Sequence, residues 1–343
     1  MSNPTSNQSK QLTPERIMQF AWGYTIPLAI EAAVQHRVFD LIDSHGPMTA
    51  SQLSEKTGAS RRGLRMLMNM LVSVDLLARE GERYKLSPES ASFLVSSKPS
   101  FQGGIFKHIS SQLLPRWMRL SEIVRTGRPA TAVNDQGEGS AFFEQFVEDI
   151  FPMSYRPAQV LADHLNLSRA DAPVKVLDVA AGSGVWGIAL AQKSPQVRVT
   201  AVDWPGVIPV TRRVAKRFGL VERFTFIEGD IATTDFGGGY RVATLGHILH
   251  SEGEPRSREL IRRVFAALAP GGTIAIAEFV ANDERTGPPN AMIFAVNMLV
   301  NTESGDTFTF SEMSSWLREA GFVDARQLES PGPSPLILAT RPK

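Results

Sequence analysis

The sequence contains no cysteine among its 343 residues. This absence excludes disulfide scaffolds, cysteine-ligated zinc, iron–sulfur clusters and a thiolate nucleophile. An excess of charge is also missing, since 36 basic side chains are balanced by 35 acidic ones. No global field therefore draws the chain to nucleic acid or to an anionic membrane. Long apolar runs are missing as well, because the longest uncharged stretches, such as 291–300, are far shorter than the roughly 20 residues that cross a bilayer.

The length and the N-terminus set the expected domain organisation. Residues 1–12 are polar and contain no apolar region of a signal peptide, so we expect a disordered tail and a cytoplasmic protein. The remaining length predicts two domains that can each bury a core. Changes in pattern place a helical domain over 13–107, a helical connector over 108–170 and an α/β domain over 171–343.

The first of these domains has the pattern of a winged helix. A helix is predicted over 13–34. Thr49 and Gln52 have the spacing of a capping box, and Ser60 precedes another amphipathic helix. Residues 77–86 then read as a β-hairpin.

Alternating strands and helices dominate the C-terminal domain. This alternation predicts a mostly parallel sheet covered on both faces, so the fold class is α/β. The last two strands lie too close together for a helical crossover and must pair antiparallel. The predicted strands are 174–179, 197–202, 224–228, 242–249, 273–280, 323–328 and 336–340.

A glycine loop after the first strand is the strongest local signal for a ligand. Gly182 and Gly184 allow positive φ angles and close approach of a ligand to the backbone. Together with Gly187 and the later Asp203 they also satisfy the dinucleotide fingerprint, which leaves an NAD-linked dehydrogenase open.

Three acidic residues favour a different nucleotide ligand. Asp178, Asp203 and Asp230 follow three successive strands at the edge where open α/β sheets bind ligands. Such a group suits a cationic, adenosine-bearing molecule and would repel a diphosphate. S-adenosylmethionine, with its sulfonium, ammonium and ribose, matches these demands.

Further motifs extend this pattern along the chain, and together they carry a family resemblance. They are DVAAGSG at 178–184, VDWP at 202–205, EGD at 228–230, LH at 249–250, LAPGG at 268–272, NML at 297–299 and WLREAGF at 316–322. With them, residues 13–343 resemble the S-adenosylmethionine-dependent O-methyltransferases of the plant caffeic-acid type and their bacterial polyketide-tailoring relatives. The resemblance implies a Rossmann-like class I methyltransferase domain, with a seven-stranded sheet ending in an antiparallel hairpin, after a mostly helical winged-helix dimerisation domain.

The same resemblance implies residue roles and a partner. A homodimer is expected, with the N-terminal half forming most of the interface and contributing to the partner's substrate pocket. The implied cofactor-binding residues are Asp178, Gly182, Gly184, Asp203, Trp204, Asp230, Ile231 and Gly246.

His250 is the implied general base, and Glu278 matches the carboxylate that orients it. A neutral imidazole can accept the proton of a phenol as the oxygen attacks the methyl group. His247 is the nearest competitor, and an extended strand would point the two rings to different sides. The sequence departs from the family pattern at Ser251-Glu252, Ala295 and Thr307, which leaves the choice of acceptor atom open.

Bulky apolar residues predict a hydrophobic pocket for a planar small-molecule acceptor, with no metal. The leading hypothesis is O-methylation of an aromatic or polyketide-like hydroxyl, and the alternative is C-methylation of an electron-rich ring or enol. A cofactor-binding pseudo-enzyme and a DNA-binding regulator, suggested by Arg61, Arg62 and Arg65, remain competing interpretations. The predicted substrate-binding residues are Phe146, Met153, His247, Phe294, Asn297 and Met298.

Overall fold

The structure, a computed structural model, describes residues 12–129, 131–133, 136–144, 146–167, 172–332 and 334–343. The predicted tail over 1–12 and the end of the connector at 168–170 lie outside these residues, except for Leu12. The chain divides into two compact units, Met1–Ser110 and Ser111–Lys343.

The first unit is mostly helical and contains one small sheet, of strand order β1-β3-β2. The helix predicted over 13–34 is in fact two helices, because a turn around Gly23 interrupts it and glycine is a poor helix former. The elements are α1 (Glu15–Ala21), α2 (Thr25–Gln35), α3 (Val38–His45), β1 (Met48–Thr49), α4 (Ala50–Thr57), α5 (Arg61–Ser73), β2 (Leu77–Glu80), β3 (Arg83–Leu86), α6 (Pro88–Phe93) and α7 (Gly104–His108).

Local capping signals of this unit form as predicted. The Thr49 hydroxyl accepts a hydrogen bond from the Gln52 N–H at 3.2 Å, and the Gln52 side chain accepts one from the Thr49 N–H at 2.9 Å. Ser60 caps α5 with a single bond, since its hydroxyl accepts a hydrogen bond from the Gly63 N–H at 3.4 Å. The predicted hairpin also forms, with Leu77 paired to Leu86. The helix–helix–hairpin order of a winged helix is therefore present.

The second unit contains a seven-stranded sheet of order β6-β5-β4-β7-β8-β10-β9. Strands β4 to β8 run parallel to one another, and β10 pairs antiparallel with both β8 and β9. Its strands are β4 (Val174–Val179), β5 (Val197–Asp203), β6 (Phe224–Glu228), β7 (Tyr240–Gly246), β8 (Leu268–Ala277), β9 (Val323–Leu328) and β10 (Leu336–Thr340).

Helices cover both faces of this sheet, because successive strand residues point to opposite sides. Val176 of β4 belongs to one buried cluster, and its neighbour Leu177 belongs to the other. The helices are α8 (Leu114–Trp117), α9 (Leu120–Thr126), α10 (Gln136–Glu144), α11 (Phe151–His164), α12 (Val185–Lys193), α13 (Ile208–Arg217), α14 (Leu249–Ala267), α15 (Pro289–Asn301) and α16 (Phe310–Glu319). A π-helical turn spans Ile109–Leu113, and a 3-10 turn spans Val221–Arg223.

Two strand predictions are wrong at their ends. The strand predicted over 242–249 is β7, which stops at Gly246 because His247 adopts a left-handed φ of 61° and α14 begins at Leu249. The strand predicted over 273–280 is β8, which begins earlier and ends at Ala277. Both shifts matter because the predicted catalytic residues lie directly after these strands. Within the described ranges, we find no helix long and apolar enough to cross a membrane.

Candidate active site

The glycine loop lies between β4 and α12, at the carboxyl edge of the sheet. Gly182 has a φ of 54° and Gly184 a φ of 75°, in the left-handed region that favours glycine. A Cβ on Gly184 would also lie 3.0 Å from Cγ2 of Thr211, which is a tight contact. Gly184 is buried, whereas Gly182 is half-buried, so Gly182 is the glycine whose backbone a ligand can reach.

Asp178 is hydrogen-bonded to the first turn of α12, the helix that follows the glycine loop. Its carboxylate accepts hydrogen bonds from the Gly187 N–H at 3.0 Å and from the Thr244 hydroxyl at 2.7 Å, and the side chain is fully buried. Burial raises the pKa of this carboxyl to about 7. Asp178 thus belongs to β4 and links this strand to α12 and β7 through these hydrogen bonds.

Asp203 and Asp230 follow the next two strands of the sheet. Asp203, at the end of β5, accepts hydrogen bonds from the N–H groups of Gly182 and Trp204, both at 2.7 Å. Burial raises its pKa to about 6. Asp230 accepts a hydrogen bond from the Ala232 N–H at 2.8 Å, and Ile231 beside it is buried. Asp203 therefore contacts the glycine loop directly, and Asp230 lies after the strand next to it.

The ends of β7 and α12 meet at Gly246. A Cβ on this residue would overlap the indole Nε1 of Trp186, in the first turn of α12. Sequence reasoning did not single out Trp186, because its contact with Gly246 bridges sixty positions of the chain. Trp204 packs instead against Phe143, with ring centroids 6.1 Å apart.

His250 and Glu278 form a buried pair directly after β7 and β8. His250 Nδ1 lies 2.7 Å from Glu278 Oε2, and the His250 N–H donates to Glu278 Oε1 at 3.3 Å. Burial opposes ionisation of the Glu278 carboxyl, but the charge and hydrogen bonds of His250 outweigh it and lower its pKa. Because Glu278 accepts a hydrogen bond at Nδ1, the neutral form of the imidazole carries its proton there and leaves Nε2 as a hydrogen-bond acceptor.

His247 lies beside this pair, contrary to the opposite-side arrangement of an extended strand. The two imidazole rings are 6.2 Å apart, because the left-handed turn at His247 ends the strand alternation. Burial lowers the pKa of His247 to about 4. His247, His250 and Glu278 each offer one atom of a possible metal-ligand set, all within 4.8 Å of one another. In the present geometry, however, the carboxylate is bonded to His250.

The predicted substrate residues do not all gather at this pair. Phe294 of α15 contacts His250 edge-on, with centroids 4.8 Å apart, and it stacks at 4.0 Å on Phe279, which the sequence did not indicate. On the same helix Met298 is buried, and Asn297 accepts a hydrogen bond from the Trp117 indole at 3.0 Å. Phe146 lies in a separate buried cluster with Val133 and Phe142, and Met153 is exposed.

A polar clamp holds the loop that contacts His250. The Asp306 N–H donates to the His250 carbonyl at 2.9 Å. Arg285 then bonds the Asp306 carboxylate, the Thr307 carbonyl and Glu312 at 2.7–3.1 Å. Thr307, at the position of the expected second carboxylate, is buried, and its hydroxyl has no partner among the described residues. No local sequence motif predicts this clamp, because the residues that form it come from three separate segments of the chain.

Comparisons with known proteins agree with this architecture. A family profile for the O-methyltransferase domain matches residues 117–323, and one for the O-methyltransferase dimerisation domain matches residues 18–96. The 3-hydroxy-5-methyl-1-naphthoate 3-O-methyltransferase of Streptomyces sahachiroi is 28% identical over 335 residues, which cover 96% of this chain and 95% of that protein. The tetracenomycin polyketide synthesis 8-O-methyl transferase TcmO of Streptomyces glaucescens is 29% identical over 340 residues, with 96% and 97% covered.

Solved structures share the fold over nearly the whole chain. A Nostoc punctiforme protein described as an O-methyltransferase superposes with a TM-score of 0.87 at 30% identity, covering 96% of this chain and 99% of that chain. Human N-acetylserotonin methyltransferase in complex with S-adenosylmethionine gives a TM-score of 0.85 at 23% identity, with 98% and 99% covered. The predicted fold, a Rossmann-like domain after a helical N-terminal region, is confirmed.

Proposed function

Because the chain belongs to the family of S-adenosylmethionine-dependent O-methyltransferases, we propose that it methylates a hydroxyl group of a planar aromatic or polyketide-like small molecule. The observation that carries this proposal is the His250–Glu278 pair at the carboxyl edge of the sheet. Both curated relatives named above are O-methyltransferases, one of a naphthoate and one of polyketide synthesis. We therefore propose that the acceptor of this protein belongs to the same chemical class as theirs.

The residues around the glycine loop fit the cofactor. Gly182 is half-buried and its N–H is bonded to Asp203, so a carboxyl group lies at the part of the loop that a ligand can reach, as suits a cationic ligand. In this proposal Asp203 binds the ribose hydroxyls, while Asp230 and Ile231 lie beside the adenine. Trp204 and Gly246 border the same site, and Asp178 acts through the loop that it supports. When bound, the cofactor supplies an electrophilic methyl group.

His250 is the proposed general base of the reaction. Glu278 fixes the orientation of the imidazole and its proton on Nδ1, so Nε2 is free to accept the hydroxyl proton of the acceptor. The ion pair then stabilises the resulting imidazolium. Methyl transfer also requires an in-line approach of the acceptor oxygen, which depends on positioning.

The acceptor is proposed to bind against the apolar side of this pair. Phe294 borders the His250 ring directly, and His247 adds the second imidazole. Met298 and Asn297 lie further along α15. Phe146, between α10 and α11, and Met153, in the first turn of α11, are proposed to border the pocket. An aromatic wall of this kind suits a flat, hydrophobic substrate.

Replacement of the base tests the proposal. We expect His250→Ala to lower kcat by roughly 10²–10⁴-fold on a hydroxynaphthalene acceptor such as 1-naphthol, while S-adenosylhomocysteine affinity measured by calorimetry stays unchanged. Glu278→Gln should give a smaller loss, because it preserves the shape but removes the charge. Mass spectrometry and NMR of the product should show a methoxy group, whereas a C-methyl product would favour the alternative reaction.

A matched variant controls for the loss of an imidazole. His164 is exposed at the end of α11, so His164→Ala should keep full activity. Wild-type turnover in His250→Ala would remove this residue from the mechanism.

We further propose that the protein works as a homodimer through the domain over 13–107. Helix α1 supports this proposal, because it buries none of its residues within the chain. Phe20 and Trp22, on and just after this helix, are 73% and 65% exposed. Apolar side chains exposed to this extent suit an interface with a second copy. In the same scheme, the connector over 108–170 borders the acceptor and 171–343 holds the cofactor.

A further inference from the structure

His247 is held in a backbone conformation that a non-glycine residue rarely adopts. Its φ is 61°, and its N–H donates to the Ala277 carbonyl at 2.9 Å, so the turn is tied to the end of β8. Such conformations are costly and persist where the surrounding structure enforces them, often at functional sites. Here the turn has a specific consequence, since it brings the His247 ring to the side of the sheet edge where His250 lies.

The surroundings of the ring decide which nitrogen carries its proton. Nδ1 of His247 is buried and has no hydrogen-bond partner among the described residues. An unpaired buried N–H is more costly and rarer than an unpaired acceptor, so the proton belongs on Nε2. The ring itself is only half-buried, and Nε2 is therefore the nitrogen that a ligand can meet.

The surroundings of His247 also set its charge. Burial is the largest influence on His247 and lowers its pKa to about 4, although the nearby Glu278 carboxylate acts in the opposite direction. The imidazole is accordingly neutral near pH 7 and offers a single N–H donor. The Phe279 ring also packs beside it, with centroids 5.6 Å apart.

The two histidines thus present complementary groups side by side. His250 offers a bare Nε2, because Glu278 binds its Nδ1. His247 offers an N–H. Their ring centroids are 6.2 Å apart, which is a short enough span for two neighbouring oxygens of one flat ligand.

We propose that His247 selects acceptors in which the reacting hydroxyl has a second oxygen on an ortho or peri carbon. The proposal rests on the proposed function and names its substrate class. The reacting hydroxyl gives its proton to His250, and the second oxygen, a carbonyl or hydroxyl, accepts a hydrogen bond from His247 Nε2. The two oxygens of such a pair lie roughly 2.5–3.0 Å apart, at hydrogen-bond distance from each other. A ligand with one oxygen leaves the His247 donor without a partner.

Binding of two matched probes tests this selectivity without requiring turnover. The full-length protein loaded with S-adenosylhomocysteine is titrated with 1,8-dihydroxynaphthalene and with 1-naphthol, which differ by one peri hydroxyl. One additional neutral hydrogen bond predicts about tenfold tighter binding of the diol. The ratio should fall to about one in His247→Phe, which keeps an aromatic ring but has no donor.

Two further variants separate the donor from the packing. His247→Asn suits the left-handed backbone, so it guards against misfolding of the phenylalanine variant, and its shorter side chain should also lose the preference. Phe279→Leu removes a ring that packs against His247 but keeps the donor. It should weaken both probes together and leave their ratio unchanged.

The outcomes distinguish this inference from the proposed function. Equal binding of the two probes by the wild type, or a preference that survives in both His247 variants, would overturn the role of His247 even if both probes are methylated. Preferential binding of the diol without methyl transfer to oxygen would instead contradict the proposed function. A ¹⁵N NMR spectrum that places the His247 proton on Nδ1 would also overturn the inference.

Discussion

Three buried carboxylates at the sheet edge illustrate how surroundings set the behaviour of single residues. Asp178 and Asp203 accept hydrogen bonds from neutral donors, which do not compensate for the loss of water, so burial raises their pKa values to about 7 and about 6. Glu278 is buried as deeply, but its histidine partner lowers its pKa. The first two therefore support a loop, whereas the third holds a proton on His250.

The raised pKa values predict how stability depends on pH. Between the unfolded pKa near 3.8 and the folded values of about 6 and 7, the folded protein binds more protons than the unfolded chain at these two sites. Their contribution to the free energy of unfolding therefore decreases as the pH rises through this window. His247, whose pKa is lowered to about 4, contributes in the opposite direction, but it is one group against two. We therefore expect the cofactor-free protein to have a higher Tm at pH 5.5 than at pH 7.5, measured by calorimetry.

Replacement of Asp178 isolates its share of that effect. Asp178→Asn keeps the shape and the acceptor for the Gly187 N–H, but it cannot ionise. We expect the variant to fold and to lose much of the decrease in Tm between pH 5.5 and 7.5. Asp235→Asn, at an exposed position, is the matched control and should behave like the wild type. An unchanged pH slope in Asp178→Asn would show that this carboxyl is not the source.

At the scale of elements, the site depends on where strands stop and which helices meet their ends. Strand β7 ends one residue before His247, and α14 begins one residue before His250. The strand end and the start of the helix therefore set the distance between the two rings. The Arg285 clamp ties the loop after α15 to the start of α16 and, through Asp306, to the His250 carbonyl.

The contact between β7 and α12 allows a test of packing at this scale. Gly246→Ala places a Cβ onto the Trp186 indole, and overpacking of a filled site costs about 1–3 kcal/mol. We expect a corresponding decrease in the free energy of unfolding, measured with urea. The double variant with Trp186→Phe should recover part of it, because the smaller ring frees space. A strictly additive double variant would contradict direct contact of the two residues.

At the scale of the whole molecule, the proposed dimer accounts for the exposed apolar surface of the N-terminal helix. We expect light scattering of the full chain to give twice the 37.6 kDa mass of one copy. Phe20→Ser combined with Trp22→Ser should shift the protein towards monomer, because the change removes apolar area from α1 and its end. Val323→Ser, also at an exposed apolar position but outside the domain over 13–107, is the control and should remain dimeric. A monomeric wild type would refute the dimer.

Local sequence patterns determined much of this protein. Several features depend on residues that lie close together in the chain, so the sequence is enough to predict them. They are the helix caps at Thr49 and Ser60, the terminal hairpin and the glycine loop. The strand predicted over 323–328 matches the observed one in full. The order of motifs likewise indicated the family and its cofactor.

The tertiary structure decided what these residues touch. The burial of Asp178, the stacking of Phe279 on Phe294 and the Arg285 clamp join segments that lie far apart in sequence. The end of β7 at Gly246 could not be predicted from the sequence either, because the turn at His247 depends on the hydrogen bond from its N–H to the Ala277 carbonyl. Such contacts form only in the folded protein, when distant segments pack together. The sequence pattern therefore identifies candidate residues, whereas the packing fixes the distances between them, the positions of their protons and their hydrogen-bond partners.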